Sequence, residues 1–291
     1  MKTTRNIAIL WLIVGTIQLF AQDDGDYHLD KVYSMDTQGT VYLRSEDAKV
    51  RITGSDRNDA RVVIDRVEQV RGITNRRPSF AMEIEEKDGD LYVTEKSRST
   101  SRVNIGISVY SLEYDISIEL PRNASLKIDG EDDDYLIRSV NGRISIDAED
   151  GDIELLNCQG DDFEITLEDG DLTMDGGNGS LVVEVEDGDL DFRNGNFKEI
   201  ELVTEDGDVH LETKLLNGGI YDLDGEDATI DFIVLSGGGV FNISRDDARV
   251  SASSAFRLTR ETDSRVAYQL GEGSAEVYMR TKDGRVRLEK N

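Results

Sequence analysis

The sequence predicts an all-β chain wound as a β-solenoid, of the single-stranded β-helix or β-roll type, with rungs of about 18–19 residues. Three observations carry that expectation. The phrases EDGDIEL at 149–155, EDGDLTM at 168–174, EDGDLDF at 186–192 and EDGDVHL at 205–211 recur at that spacing. Apolar and polar residues alternate after each acidic phrase, which is the period of a strand with one buried face. Glycines separate the halves of each repeat, at Gly160, Gly176 to Gly179, Gly195, Gly218 with Gly219, and Gly237 to Gly239. A unit of strand, turn, strand and turn cannot bury its own apolar face, and stacked copies cover one another.

Taken in chain order, residues 1–21 are expected to be a secretory signal peptide. Lys2 and Arg5 precede an apolar stretch from Ile7 to Phe20, about 14 residues long and short of the roughly 20 that a membrane-spanning helix needs. Cleavage is expected after Ala21. The exported chain would then reside in the periplasm, at the cell surface or outside the cell, with no transmembrane segment after signal removal. Cys158 stands alone, so no intramolecular disulfide is available, and its expected role is that of a small buried apolar residue.

Residues 22–122 are expected to form a less regular β region continuous with the solenoid. AKVRITGSDRNDARVVID at 48–65 and KDGDLYVTEK at 87–96 carry the same alternation with uneven spacing. Between them, RVEQVRGITNRRPSF at 66–80 departs from the acidic background and is taken as a loop before Pro78. Its Arg66, Arg71, Arg76 and Arg77 are candidate contacts for an anionic surface polymer, or for the acidic column of a neighbouring molecule, set against the plainer reading of a solvated insertion.

Residues 123–291 make the acidic solenoid repeats and the C-terminal capping strands. Inward positions are assigned to Ile153 and Leu155, Leu172 and Met174, Leu190 and Phe192, and Val209 and Leu211. The other strand of each repeat contributes Phe163, Ile165 and Leu167; Leu181, Val183 and Val185; Ile200 and Leu202; Ile220 and Leu223; and Val240 and Ile243. Fainter copies extend the array in both directions: VNGRISI at 140–146 before it, then GEDATIDF at 225–232, RDDARVSA at 245–252 and KDGRVRL at 282–288 after it.

The turn chemistry follows from Asp-Gly, which tolerates positive φ and lets Asp bond its own backbone. Gly151, Gly170, Gly188 and Gly207 are the positions expected in that conformation. Stacking would also bring like carboxylates to roughly 4.8 Å from one another. Asp152, Asp171, Asp189 and Asp208 would form one column, and Asp150, Asp169, Asp187 and Asp206 another. Such neighbours repel by about 1 kcal/mol per pair even at the dielectric of water, a cost that Asn-Gly turns would avoid. Either cations sit on the column or a strongly negative surface is itself advantageous. Calcium is the fitting ion, since it takes six to eight oxygen ligands, although the phrase is neither an EF-hand loop nor a calcium-binding nonapeptide. These eight aspartates are the candidate metal ligands, and no other cofactor is implied.

The formal net charge of −28 is concentrated there: residues 23–122 carry −5, residues 123–252 carry −27 and residues 253–291 carry +2. A surface of that sign repels nucleic acid and attracts cations or basic partners. Catalysis lacks a constellation. His28 and His210 are the only histidines, and no zinc motif, phosphate-cradling loop or nucleophile elbow occurs. A β-helical enzyme acting on acidic polysaccharides would need two acids across a cleft, and turns of a few residues build no cleft wall. The expected function is therefore that of a non-catalytic secreted or cell-envelope module, binding an envelope polymer, glycan or protein. A calcium-stabilised acidic solenoid and a polysaccharide-active enzyme are the alternatives.

YDISIELPRNASLKI at 114–128, VNGRISIDAEDGDIEL at 140–155 and GEGSAEVYMRTKDGRVRL at 271–288, together with ITGSDRNDARVVI at 52–64, resemble the bacterial putative-adhesin family of β-strand-repeat proteins, a domain of unknown function. The matching positions are Leu120 with Pro121, the Gly-Asp turns, and Gly271, Gly273, Thr281 and Gly284. The resemblance covers most of residues 30–291. It implies a secreted or envelope-associated β-solenoid and brings no catalytic residues. This chain departs from that pattern in its heavier acidity, where Ser-Gly-Asp or Asn-Gly-Asp turns are commoner.

Overall fold

A computed structural model describes residues 26–71, 80–96 and 109–291. The expected signal peptide lies outside the described residues, as do Arg76 and Arg77. Among the described residues there are strands and no helices, and all 21 strands join in one sheet that wraps nearly round a single axis.

The middle of the chain stacks as the repeats dictate. Ser125–Asp132, Ile144–Asp150, Asp162–Asp169 and Asn178–Asp187 run parallel as successive strands of a first face. Asp134–Arg138, Ile153–Leu156 and Leu172–Asp175 follow round the corner on a second face, with the start of Leu190–Lys214 beside them. Register is kept within each face, with shifts only near strand ends, between Gly179 and Ser180 and between Thr213 and Lys214: Ile146 lies beside Ile128 and Ile165, and Leu155 beside Ile137 and Met174. Each sequence period thus becomes a column running along the axis. A one-residue slip would turn every apolar side chain outward, so the alternation itself fixes the pairing.

The interior is a ladder of these columns. Ile153, Leu155, Leu172, Met174, Leu190, Phe192, Val209 and Leu211 are all buried, as the alternation predicts. Edge-to-face aromatic pairs fill its width, Phe163 against Phe197 at 6.1 Å and Phe232 against Phe241 at 5.6 Å. Cys158 is buried among them, and desolvation raises its thiol pKa. Two assignments are corrected. Ile220 is 50% exposed and Tyr221 points inward with Leu223, while Val240 yields its inward place to Phe241 beside Ile243. Residues three apart on a strand face opposite ways, so neither expected pair was able to share the core.

Both ends depart from sequence order. The rung Thr40–Ser45 with Lys49–Ser55 lies between Asp90–Glu95 with Val109–Pro121 on one side and Ser125–Asp132 with Asp134–Arg138 on the other. At the far end Ala275–Lys290 is interposed between Ile220–Ser236 and the pair Gly239–Arg245 and Arg249–Ala252. The last copy, KDGRVRL, thus stacks before RDDARVSA and not after it. The chemistry of the interposed strand matches its place, since Asp283 and Gly284 continue the corner columns of Asp227 and Ala228.

Antiparallel strands finish the stack. Tyr27–Ser34 pairs with Asp59–Arg71, Met82–Lys87 with Asp90–Glu95, and Phe256–Glu261 with Arg265–Leu270. The last of these edges carries Arg257 and Arg260 beside a bulge between Leu258 and Arg260, devices that discourage pairing with another chain. The arginine segment is also corrected: Arg66 and Arg71 belong to the strand Asp59–Arg71 and not to a loop. Arg66 is buried, 3.2 Å from the Glu68 carboxylate and over the ring of Phe80, so it serves the interior instead of offering a surface contact.

Candidate functional site: the stacked corners

The acidic corner is built on a column of glycines. Gly151, Gly170, Gly188 and Gly207 all adopt positive φ, at 119°, 146°, 151° and 126°. Close approach compounds the requirement. A Cβ on Gly170 would lie 2.2 Å from the Gly151 carbonyl oxygen, and one on Gly188 would lie 2.0 Å from that of Gly170. The glycine of each rung therefore rests directly on the glycine below.

Beside the glycines, each carboxylate caps the next rung. The backbone N–H of Asp152 donates to Asp134 Oδ1 at 3.3 Å, and that of Asp171 to Asp152 Oδ1 at 3.1 Å. Asp189 N–H donates to Asp171 Oδ1 and Asp208 N–H to Asp189 Oδ1, both at 2.9 Å. The parallel column of Asp150, Asp169, Asp187 and Asp206 is exposed and in register, and it continues through Asp132, Asp227 and Asp283. One oxygen of Asp152, Asp171 and Asp189 is thus occupied by a backbone donor. Among the described residues no group of three His, Cys, Asp or Glu side chains is placed to hold a metal ion.

The opposite corner performs a comparable task mainly through carboxamides, with one carboxylate among them where Asn194 Nδ2 donates to Asp175 Oδ1 at 2.7 Å. Asn141 Oδ1 accepts the backbone N–H of Gln159 at 3.3 Å. Asn178 Nδ2 donates to Gln159 Oε1 at 2.9 Å, and Asn196 Nδ2 to Asn178 Oδ1 at 3.1 Å. Carboxamides are sufficient to bridge one rung to the next. The negative charge of the other corner is therefore more than the geometry of bridging demands.

The glycine column is broken at Ala228, between Gly207 and Gly284, and again at Asp133. Asp133 lies opposite Gly151 and turns its side chain inward, where it is fully buried. It accepts from Ala48 N–H at 2.6 Å, from Tyr135 Oη at 2.8 Å and from Ser45 Oγ at 3.0 Å. Desolvation raises its pKa against those bonds. Nearby, Glu95 accepts from Tyr114 Oη at 3.1 Å and from Glu46 N–H at 3.2 Å, and burial pushes its pKa up to about 7. These groups pin the out-of-order rungs to one another. No motif announced them, since their significance depends on which rung lies beside which.

The histidines keep apart from any such cluster. His28 is exposed, 2.7 Å from Asp65, and His210 lies on the second face 3.4 Å from Glu212. Among the described residues no helix is long and apolar enough to cross a membrane.

Comparison with known proteins places this architecture. No curated protein matches the chain. Solved structures similar to it include three at 11% identity each. They are a putative cell adhesion protein from Clostridium sporogenes, with 91% of this chain and 100% of that one covered and a TM-score of 0.29; a putative adhesin from Bacteroides fragilis, with 90% and 97% covered and a TM-score of 0.46; and a putative adhesin from Parabacteroides distasonis, with 91% and 97% covered and a TM-score of 0.45. The family model described as Toastrack DUF4097 matches residues 40–289, which takes in both interposed rungs and every acidic corner. The chain belongs to the Toastrack DUF4097 family.

Proposed function

We propose that the protein is an exported, non-catalytic binding module of the bacterial envelope, which holds a polymer, glycan or protein partner along its outer surface. The observation that carries this reading is the register of the stack, which repeats the same kinds of side chain at fixed spacing along two outer faces and their corners. Extended surfaces of this kind suit extended partners. The corners of the acidic repeats are a few residues long, which supports binding over turnover. The test is to titrate the chain from residue 22 onward with purified envelope polymers while monitoring product release. Saturable binding without product supports the reading, and cleavage of a polymer refutes it.

A calcium-stabilised solenoid is the second reading. It is favoured by the contrast between the corners, since mainly amides bridge one and carboxylates the other. Melting with and without 2 mM calcium, with magnesium as control, tests it, the concentration being about the level of extracellular calcium modules. A rise specific to calcium supports a metal role for Asp150, Asp152 and their stacked equivalents. An equal response to magnesium reduces the charge to diffuse screening.

A further inference from the structure

The first face is not uniform along the axis. Near the out-of-order rungs it carries a groove of about 580 Å³ whose lining differs from the rest of the acidic surface. At one end stands Tyr42, stacked on Tyr92 with ring centroids 4.5 Å apart and planes 1° from parallel. The two residues are register partners on neighbouring strands, so Tyr92 backs one face of the Tyr42 ring while Tyr42 lines the groove. A tyrosine braced in this way offers a rigid apolar surface with little conformational entropy left to lose on binding.

The floor continues in register from Tyr42 to Lys127, Ser145 and Glu164. Ser145 is the short member of that column and leaves a dip between its longer neighbours. Asp129 and Asp147 run alongside as acceptors. Arg143 is held at the rim by Glu164 at 2.6 Å and Asp162 at 3.0 Å. Hydroxyls, carboxylates and cations thus surround one aromatic wall.

This lining fits a hydroxyl-rich ligand that also has an apolar face, which is the chemistry of a sugar. A peptide strand is less well suited, because the strands here are central and their backbone groups are already paired on both sides. A polyanion is disfavoured by the carboxylate columns bordering this face, whose field acts beyond the groove itself. We propose that this groove binds a neutral oligosaccharide, with one ring stacked on Tyr42 and its neighbours hydrogen-bonded across Ser145 to Asp129 and Asp147. The proposal rests on the reading of the chain as a non-catalytic binding module and assigns that reading a place and a ligand class.

The test is a glycan array of neutral and polyanionic oligosaccharides probed with the whole exported chain, followed by titration of the retained glycan. Tyr42→Ala removes the wall, Ser145→Arg fills the dip, and Tyr278→Ala removes an exposed tyrosine elsewhere on the same face. All three positions face outward, and circular dichroism melting checks that each variant keeps its fold. Retention of a neutral glycan is expected, with binding about tenfold or more weaker for Tyr42→Ala and Ser145→Arg and unchanged for Tyr278→Ala. Unchanged binding by Ser145→Arg overturns the site while leaving the module reading intact. Retention of polyanions alone overturns the ligand class. Retention of no glycan, with binding of an envelope protein in its place, overturns the inference, and binding of nothing overturns the module reading with it.

Discussion

Changing Asp152, Asp171 and Asp189 together to Asn should separate the two roles of the acidic corner. An Asn side chain keeps a carbonyl oxygen for the backbone N–H that each carboxylate now accepts, at 3.1 Å from Asp171 and 2.9 Å from Asp189 and Asp208. It removes the repulsion along the column from Asp134 to Asp208. Each neighbouring pair contributes about 1 kcal/mol of repulsion at water's dielectric before screening, and a Debye length of about 10 Å at 0.1 M salt removes part of that. The triple Asn variant is therefore expected to be more stable than the parent by about 1–3 kcal/mol at low ionic strength. For a chain of this size that is a rise of several degrees in Tm, at roughly 2–4 °C per kcal/mol. The corresponding triple Ala variant also loses the repulsion but forfeits three hydrogen bonds of about 0.5–1.5 kcal/mol each, so it should melt below the Asn variant at every salt concentration. The assay is thermal unfolding by circular dichroism at 10 mM and 500 mM sodium chloride, values set on the order of either side of the screening range. A gain for Asn that persists in high salt, or an Ala variant as stable as the Asn variant, would refute the account of the ladder.

Three further outcomes are expected. Gly188→Ala should lower the urea midpoint by an amount equivalent to about 3 kcal/mol or more, because φ is 151° and the new Cβ would meet the Gly170 carbonyl oxygen at 2.0 Å; Gly271→Ala, at φ 56° with open space around it, should cost about 1 kcal/mol. Leu190→Asp should unfold its rung, losing about 1.5–3 kcal/mol of burial and introducing an unpaired charge, and an unchanged melting curve would contradict the inward assignment. The Glu95 pKa is raised in the folded state to about 7, so its contribution to stability is complete at acid pH and is lost as pH rises through that value. Glu95→Gln should accordingly raise stability at pH 8 by about 1–2 kcal/mol, discounted for its partial exposure, and bring no gain at pH 4; equal effects at both pH values would contradict the burial argument.

The sequence made the middle of the molecule legible because there the order of repeats and the order of rungs coincide. Period-two alternation identified Leu172, Leu190 and Val209 as core, and Asp-Gly identified Gly170 and Gly188 as positions of positive φ. Apolar identity misleads where it runs against that period, as at Ile220 with Leu223 and Val240 with Ile243. Neighbours remote in sequence are equally hidden. The strand character of Arg66 was masked by its charge, since its partners Glu68 and Phe80 offset a burial cost that composition cannot reveal. Tyr42 and Tyr92 lie 50 residues apart and become neighbours only because a later rung stacks outside an earlier one.

The interposed rungs also set a timetable. Residues 125–234 stack in the order in which they are synthesised, so each new rung finds its template already formed. Neither end has that advantage. The strand Thr40–Ser45 must wait for two segments made after it, and the pair Gly239–Arg245 and Arg249–Ala252 must wait for Ala275–Lys290 to slip in beside Ile220–Ser236. Such pairings close long loops and are slow compared with local ones. The two ends of the stack are consequently the last to close, and a chain interrupted during synthesis keeps an open end that a complete one conceals.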